Sequence, residues 1–278
     1  MPEGNQYDGL ANTYASHGFD PNGTDGFVQR WMEQELGNVR GLKVADAGCG
    51  AGRWFSKFQG ARQVIGVDAS RAMLAQVPGA PQIVDGDSRL DDVIAGDRSP
   101  VLVHGTIEQV LPQLKKSMDV VFASFSLCVC PEPKQVLRAI ASGVKPKGRV
   151  LVSTNVFINS ADAPTASEPI REISLDASPA LQTLHEGARK ELRIVLHLPG
   201  GHLPITDRAH VLSDYNAEGG GLAVVKAHLV RPQGMTFVDG DDVQLNRQHF
   251  SNDGGNHVFS MRGTRAALAH LCLELIAR

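Results

Sequence analysis

The stretch Lys43-Val44-Ala45-Asp46-Ala47-Gly48-Cys49-Gly50-Ala51-Gly52-Arg53-Trp54 constrains this chain more than any other. Leu42 to Ala47 is apolar enough for a short buried strand, and glycines at 48, 50 and 52 then break it. Trp54, Phe55 and Phe58 resume an apolar pattern at helical spacing. Strand, glycine turn, helix is an order that leaves backbone N–H groups of the turn outward and unpaired. Glycine accepts positive φ and lets a ligand lie on bare backbone. Asp46 precedes the first glycine by two positions, and a second strand-like run, Val64-Ile65-Gly66-Val67-Asp68, also ends in an acid. A carboxylate at that strand tip is placed to accept hydrogen bonds from both ribose hydroxyls of a nucleotide-like ligand. A dinucleotide fingerprint would need glycine at position 53, which is Arg.

Taken together, D-A-G-C-G-A-G followed by V-I-G-V-D-A-S resembles the first two motifs of the class I S-adenosylmethionine (SAM)-dependent methyltransferases. That resemblance implies a doubly wound, Rossmann-like α/β fold with a seven-stranded mixed sheet. It implies that Gly48, Cys49, Gly50 and Gly52 form the cofactor loop, that Asp68 holds the ribose, and that Asp46 supports the loop and the ligand's amino group. Ala69 or Met73, in the helix that Ser70 can cap, would pack on the adenine, although ordinary core packing explains Met73 equally well. Ser124, ending the strand Asp119 to Ser124, would reach the same site.

Two stretches resemble the family's adenine-contacting segment, one at 83–88 and one at 101–108. The second is preferred, because it ends just before the 119–124 strand with room for one short helix; 82–99 then becomes an insertion. Thr106 and Ile107 are then the contact residues, with Thr106 standing where the family commonly has Asp.

Upstream, Gly26 to Leu36 reads as an amphipathic helix. The Tyr7-Asp8-x-x-Ala11-x-x-Tyr14 stretch is similar to lids that fold over the cofactor in the family, so either tyrosine is a candidate for the site. Downstream, Pro133 to Gly143 is a helix, and Lys145-Pro146-Lys147-Gly148 turns into the strand Arg149 to Thr154. The 155–206 segment has no place in a plain seven-stranded sheet and reads as a cap, with a helix opening at Ser178-Pro179 and a hairpin turning at Pro199-Gly200-Gly201. Asp207 to Ala217 reads as a helix, Leu222 to Val230 and Asn256 to Arg262 as a strand pair, and Thr264 to Ala277 as a closing helix. The expected organisation is thus a lid (1–40), a cofactor-binding core (41–154), a substrate cap (155–206) and the rest of the core (207–278).

Composition narrows the partners. A balance of 27 basic and 30 acidic residues lacks the basic excess of a nucleic-acid binder. Cysteines 49, 128, 130 and 272 have neither disulfide-framework nor zinc spacing, and the D-G-D triplet at 85–87 lacks the Glu that a calcium loop needs. The longest apolar run falls short of a membrane span, and the first residues show no signal peptide. A cytoplasmic protein with no metal, nucleic-acid or membrane partner is expected.

Methyl transfer from a sulfonium needs positioning first and a base second. Of ten histidines, His104 at the end of the third strand and His202 at the cap hairpin are the chosen base candidates. His249 and His257, flanking a polar loop, are further ones. No N/D-P-P-aromatic follows the fourth strand, against nucleobase methylation, and no acid ends it, against the metal-dependent catechol-type enzymes. The expected reaction is methyl transfer to a small-molecule acceptor through O, N or C. Two alternatives share the same loop: transfer or cyclisation of the aminocarboxypropyl group of SAM, and a non-catalytic SAM-binding module.

Overall fold

The computed structural model describes residues 7–15, 26–79, 81–87, 90–96, 100–159, 163–165, 167–175, 191–198, 201–208, 210, 212–215, 220–231, 235–238, 258–261 and 264–278. Four parallel strands carry the site: β1 (Lys43–Ala47), β2 (Gln63–Asp68), β4 (Val101–His104) and β5 (Met118–Ser124). β1 is central, with β2 on one side and β5 on the other, so the winding direction reverses there. Ligands of open α/β sheets bind at such a reversal, beyond the strands' carboxyl ends.

Five-residue β1 is buried almost throughout because both of its faces are covered. On one face α2 (Gly26–Leu36) lays Val28, Trp31, Met32 and Leu36 against Phe58, Phe122 and Leu151. On the other, α5 (Ile107–Val110) and α6 (Pro133–Gly143) bring Val110, Val136, Leu137 and Ile140 onto Val121 and Val150. Both α2 and α6 have the bounds their apolar spacing predicts, and Pro133 opens α6 where its missing N–H is harmless.

The sheet is larger than expected. Rather than seven strands, ten are joined among the described residues, in the order β3 (Ile83–Asp85), β4, β2, β1, β5, β6 (Val144–Asn159), β13 (Thr264–Ala277), β10 (Leu222–Val230) and β7 (Ile170–Glu172), with β12 (Val258–Met261) paired to β13. β3 (Ile83–Asp85) is an extra parallel strand outside β4, so 101–104 is the third strand as preferred, while part of the 82–99 insertion extends the sheet edge. β6 (Val144–Asn159) is followed across the sheet by antiparallel β13 (Thr264–Ala277), β10 (Leu222–Val230) and β7 (Ile170–Glu172).

Three expected helices fail for identifiable reasons. Thr264–Ala277 is a strand, not a closing helix. It lies between β6 and β10, and every residue from Leu268 to Leu275 is buried, so inside-outside alternation vanishes and the apolar positions fit a helical stripe as well. It, rather than 256–262, is the antiparallel partner of β10; β12 (Val258–Met261) is a short strand on its other end. Among the described residues of Asp207 to Ala217, the first finish β9 (Gly201–Arg208) and Leu212–Tyr215 coils as one 3-10 turn that buries Tyr215. After the glycine loop, Phe55–Phe58 is likewise a single 3-10 turn, because Trp54 and Phe58 pack on the Phe122 ring and hold it short.

A separate sheet of order β11-β8-β9 contains β8 (Glu191–Leu198), β9 and β11 (Met235–Val238). Its hairpin pairs Leu198 with Gly201 around the expected turn. The helix expected at Ser178-Pro179 lies outside the described residues.

Candidate functional site

The glycine loop leaves β1 with φ of 78° at Gly48, 53° at Gly50 and 73° at Gly52, the left-handed region that suits residues without a Cβ. Its amides are not free, contrary to expectation. Gly48 and Cys49 both donate to the Val67 carbonyl at 2.7 and 3.0 Å, and Gly52 donates to Cys49 at 2.9 Å. The Gly50 N–H donates to Asp68 Oδ2 at 2.8 Å. What the loop offers is therefore closeness of backbone. A Cβ at Gly48 would stand 2.2 Å from the Ser126 Cβ, and one at Gly50 would stand 2.9 Å from the Met73 Cε.

Asp68 is fixed at both oxygens. Oδ1 accepts the Ser70 N–H at 2.8 Å while Oδ2 takes Gly50. Two amides leave a carboxylate with further lone pairs to offer. Burial pushes its carboxyl up, and these two amide bonds pull it back. Ser70 also caps α3 (Arg71–Leu74), its hydroxyl accepting the Met73 N–H at 3.1 Å, as its sequence position suggests.

Asp46 is buried at 1% exposure beneath the loop, and its Oδ2 has no hydrogen-bond partner among the described residues. Burial, reinforced by the Asp68 charge, pushes its carboxyl well above the usual carboxylate range. The Cys49 thiol is pushed up by burial and by the same two acids, so it is no nucleophile.

Above the loop opens a cavity of about 790 Å³, within the range of small-molecule sites. Gly48, Cys49, Gly50 and Gly52 form its floor, and Asp68, Ala69 and Met73 one side. Thr106 and Ile107 enter from the start of α5, where Thr106 Oγ1 caps the helix by accepting the Gln109 N–H at 3.3 Å. Ser124 comes from the end of β5, its hydroxyl 3.0 Å from Ser153 Oγ. Tyr14 and Tyr7 close the top, their rings edge to face at 6.1 Å. Asp46 is the one proposed cofactor residue that does not line the cavity.

The histidines stand elsewhere. His104 is the cross-strand partner of both Asp68 and Asp85, but its ring points to Asp85, with Nδ1 3.2 Å from Oδ1, and is absent from the lining. Together with Arg71 it holds the Asp85 carboxyl below the usual range. The His202 backbone pairs with His197 in the separate hairpin sheet. His249 and His257 lie outside the described residues.

Phe125, Ser126, Val129, Cys130 and Pro131, between β5 and α6, also line the cavity, with Ser126 packed directly against Gly48. Phe125 takes a left-handed φ of 53°, held by its N–H donating to Ser153 at 2.7 Å, and its ring stands edge-on to His270 at 5.0 Å. Strained backbone of this kind concentrates at functional sites. Pro131 and Pro133 after the strand were the available signal for a loop here.

Residues 45–152 match a family model described as a methyltransferase domain. Among similar proteins, the ubiquinone biosynthesis O-methyltransferase of Pseudomonas aeruginosa (strain LESB58) is 32% identical over 125 residues, 45% of this chain and 48% of the relative. That of Leptothrix cholodnii is 29% identical over 127 residues, with the same two coverages. The chain thus spans about half the length of the curated relatives it matches. Among solved structures, the [4+2]-cyclase SpnF superposes with a TM-score of 0.52 at 13% identity, covering 98% of this chain and 94% of that one. The YcgJ protein of Bacillus subtilis gives 0.50 at 16% identity, covering 90% and 97%. These two likenesses are of fold.

Proposed function

From the premise that residues 45–152 are a class I SAM-dependent methyltransferase domain, we propose that the protein transfers a methyl group from SAM to a small-molecule acceptor. The observation that carries this reading is the joining of the Gly50 amide to the Asp68 carboxylate at the floor of a single cavity. Such an arrangement leaves bare backbone on one side of a ligand and an oriented acid on the other.

The residues present fit an adenosyl sulfonium. In this reading the remaining lone pairs of Asp68 accept the ribose hydroxyls. Met73 and Ala69, with Thr106 and Ile107 opposite, flank the adenine. Gly48, Cys49, Gly50 and Gly52 lie along the methionine portion, where Gly48 admits no side chain because Ser126 fills its space. Asp46, buried beneath the loop with its Oδ2 unpartnered among the described residues, supports the loop from below rather than by lining the cavity. Tyr14 and Ser124 border the place where acceptor and cofactor meet.

SAM supplies an electrophilic methyl whose leaving group departs neutral, so no acid is required. The protein's task is to hold the acceptor in line, an effect worth up to ~7–11 kcal/mol, against roughly 3–5 kcal/mol for a base. Tyr14 offers a phenolic oxygen inside the cavity, whereas the geometry of His104 suits an electrostatic influence on Asp68. His202 belongs to the β8–β9 hairpin, which together with β11 we assign as the acceptor cap, while residues 155–159 and β7 of the expected cap belong to the main sheet; residues 7–15 are assigned as the lid, α2 being packed on the sheet. Because the ubiquinone biosynthesis relatives are O-methyltransferases, a hydroxyl acceptor is the first to try.

Incubating the full chain with methyl-labelled SAM and a panel of hydroxyl, amine and carbon acceptors tests the proposal. Label in an acceptor with one equivalent of S-adenosylhomocysteine supports it. Release of methylthioadenosine instead would move the chain to aminocarboxypropyl chemistry, and binding without any turnover would leave a SAM-binding module.

A further inference from the structure

Ser70 is completely buried, yet it serves three partners at once. Its N–H donates to Asp68 Oδ1 at 2.8 Å, and its oxygen accepts the Met73 N–H at 3.1 Å. Its hydroxyl proton goes to Asp8 Oδ1 at 2.6 Å, 62 residues away in the chain. We propose that Asp8 and Ser70 form a latch that docks residues 7–15 on the cofactor side of the cavity and so governs cofactor release. The release half of this proposal rests on the SAM-binding reading above; the docking half does not.

The segment behaves as a unit. Leu10 N–H donates to Tyr7 at 3.1 Å and Tyr14 N–H to Leu10 at 2.9 Å, which winds the turn into α1 (Ala11–Ala15) and buries Ala11. Tyr7 and Tyr14 both line the cavity, so this segment forms part of the wall around any ligand there. Asp8 lies one residue from Tyr7, and the Ser70–Asp8 bond is a direct side-chain link from the segment to the cap of α3.

A hydroxyl has one proton to give. Were Asp8 to leave, the Ser70 hydroxyl would be stranded at a buried position, and removing one partner of such a bond costs the desolvation of the other. A bond to a carboxylate is shorter and stronger than a neutral one. Undocking is therefore opposed at Ser70, the same residue whose amide orients Asp68. Asp8 acts as a positioning residue: it touches neither acceptor nor cofactor site directly and works through Ser70.

The test uses the full chain as wild type, Asp8→Ala and Asp8→Asn. Amide hydrogen exchange at Leu10 and Tyr14 reads docking without ligand, and stopped-flow dissociation of S-adenosylhomocysteine reads release. Asp8→Ala should speed both about tenfold. Asp8→Asn keeps an acceptor oxygen and should remain near wild type, a rescue that loss of general packing would not show. Equal exchange in wild type and Asp8→Ala overturns the latch. Faster exchange with unchanged dissociation overturns its control of release. A wild type with no affinity for S-adenosylhomocysteine overturns the cofactor reading instead, while the exchange comparison still decides the docking contact.

Discussion

The Gly50 backbone amide and the Asp68 side chain are joined across 2.8 Å, although 18 positions separate them in the chain. This bond closes the end of β2 onto the loop after β1, so the acid and the glycines are one rigid unit before any ligand arrives. Pre-organisation of this kind lowers the ordering cost of binding.

Replacing Asp68 by Ala removes the acceptor of both the Gly50 and Ser70 amides as well as the proposed ribose contact. Affinity for S-adenosylhomocysteine, measured by calorimetry, should drop at least tenfold, about 1.4 kcal/mol. An unaltered dissociation constant would remove the ribose assignment.

Gly48 and Gly50 should differ in tolerance. Ala at 48 drives a Cβ to 2.2 Å from the Cβ of Ser126, whereas Ala at 50 meets only the flexible end of Met73 at 2.9 Å. Gly48→Ala should therefore destabilise by about 2–4 kcal/mol and Gly50→Ala by about 1–2 kcal/mol in urea unfolding. The reverse ranking would contradict the packing across the loop.

Asp46 predicts a pH dependence. Its folded-state carboxyl is raised by burial and by Asp68, so the folded chain keeps a proton that the unfolded chain has already lost. Stability from this group is complete below the ordinary 3.8 and declines as pH rises from there through the folded-state value. Asp46→Asn, which cannot ionise, should flatten that decline and unfold at higher temperature than wild type at neutral pH, with the advantage vanishing in acid. Parallel melting curves across pH would refute the burial argument.

Glu274 is the centre of a charge cluster at the far side of the sheet. Arg149 Nε donates to it at 2.9 Å, Lys226 lies 3.4 Å away, and Arg149 also donates to the carbonyls of Glu35 and Leu36 at the end of α2. Glu274 is 7% exposed, while its cationic partners remain partly solvated. Glu274→Ala should cost about 1–3 kcal/mol, and adding Lys226→Ala should cost less than the sum of the two single changes. Strict additivity would show that the cluster does not act as one.

Several links from residue to structure were legible before any coordinates. The glycines at 48, 50 and 52 admit a turn of positive φ, and Ser70 before an apolar pair can cap a helix, as both do. Local chemistry was sufficient there. For Thr264–Ala277 it was not, since a strand buried on both faces shows no alternation. That Val129, Cys130 and Pro131 join the cavity lining was hidden for another reason: they meet residues tens of positions away in the chain, and such adjacency leaves no mark in spacing.

By itself, then, the sequence determined the parallel core, its glycine loop and the acids at 46 and 68, because each depends on backbone conformation or strand ends a few residues long. Only the tertiary structure decided which groups share the cavity. It took His104 out to Asp85, brought Asp8 to Ser70 and set Tyr14 over the loop. Those outcomes depend on strand order and on contacts between segments tens of residues apart, which no local pattern encodes.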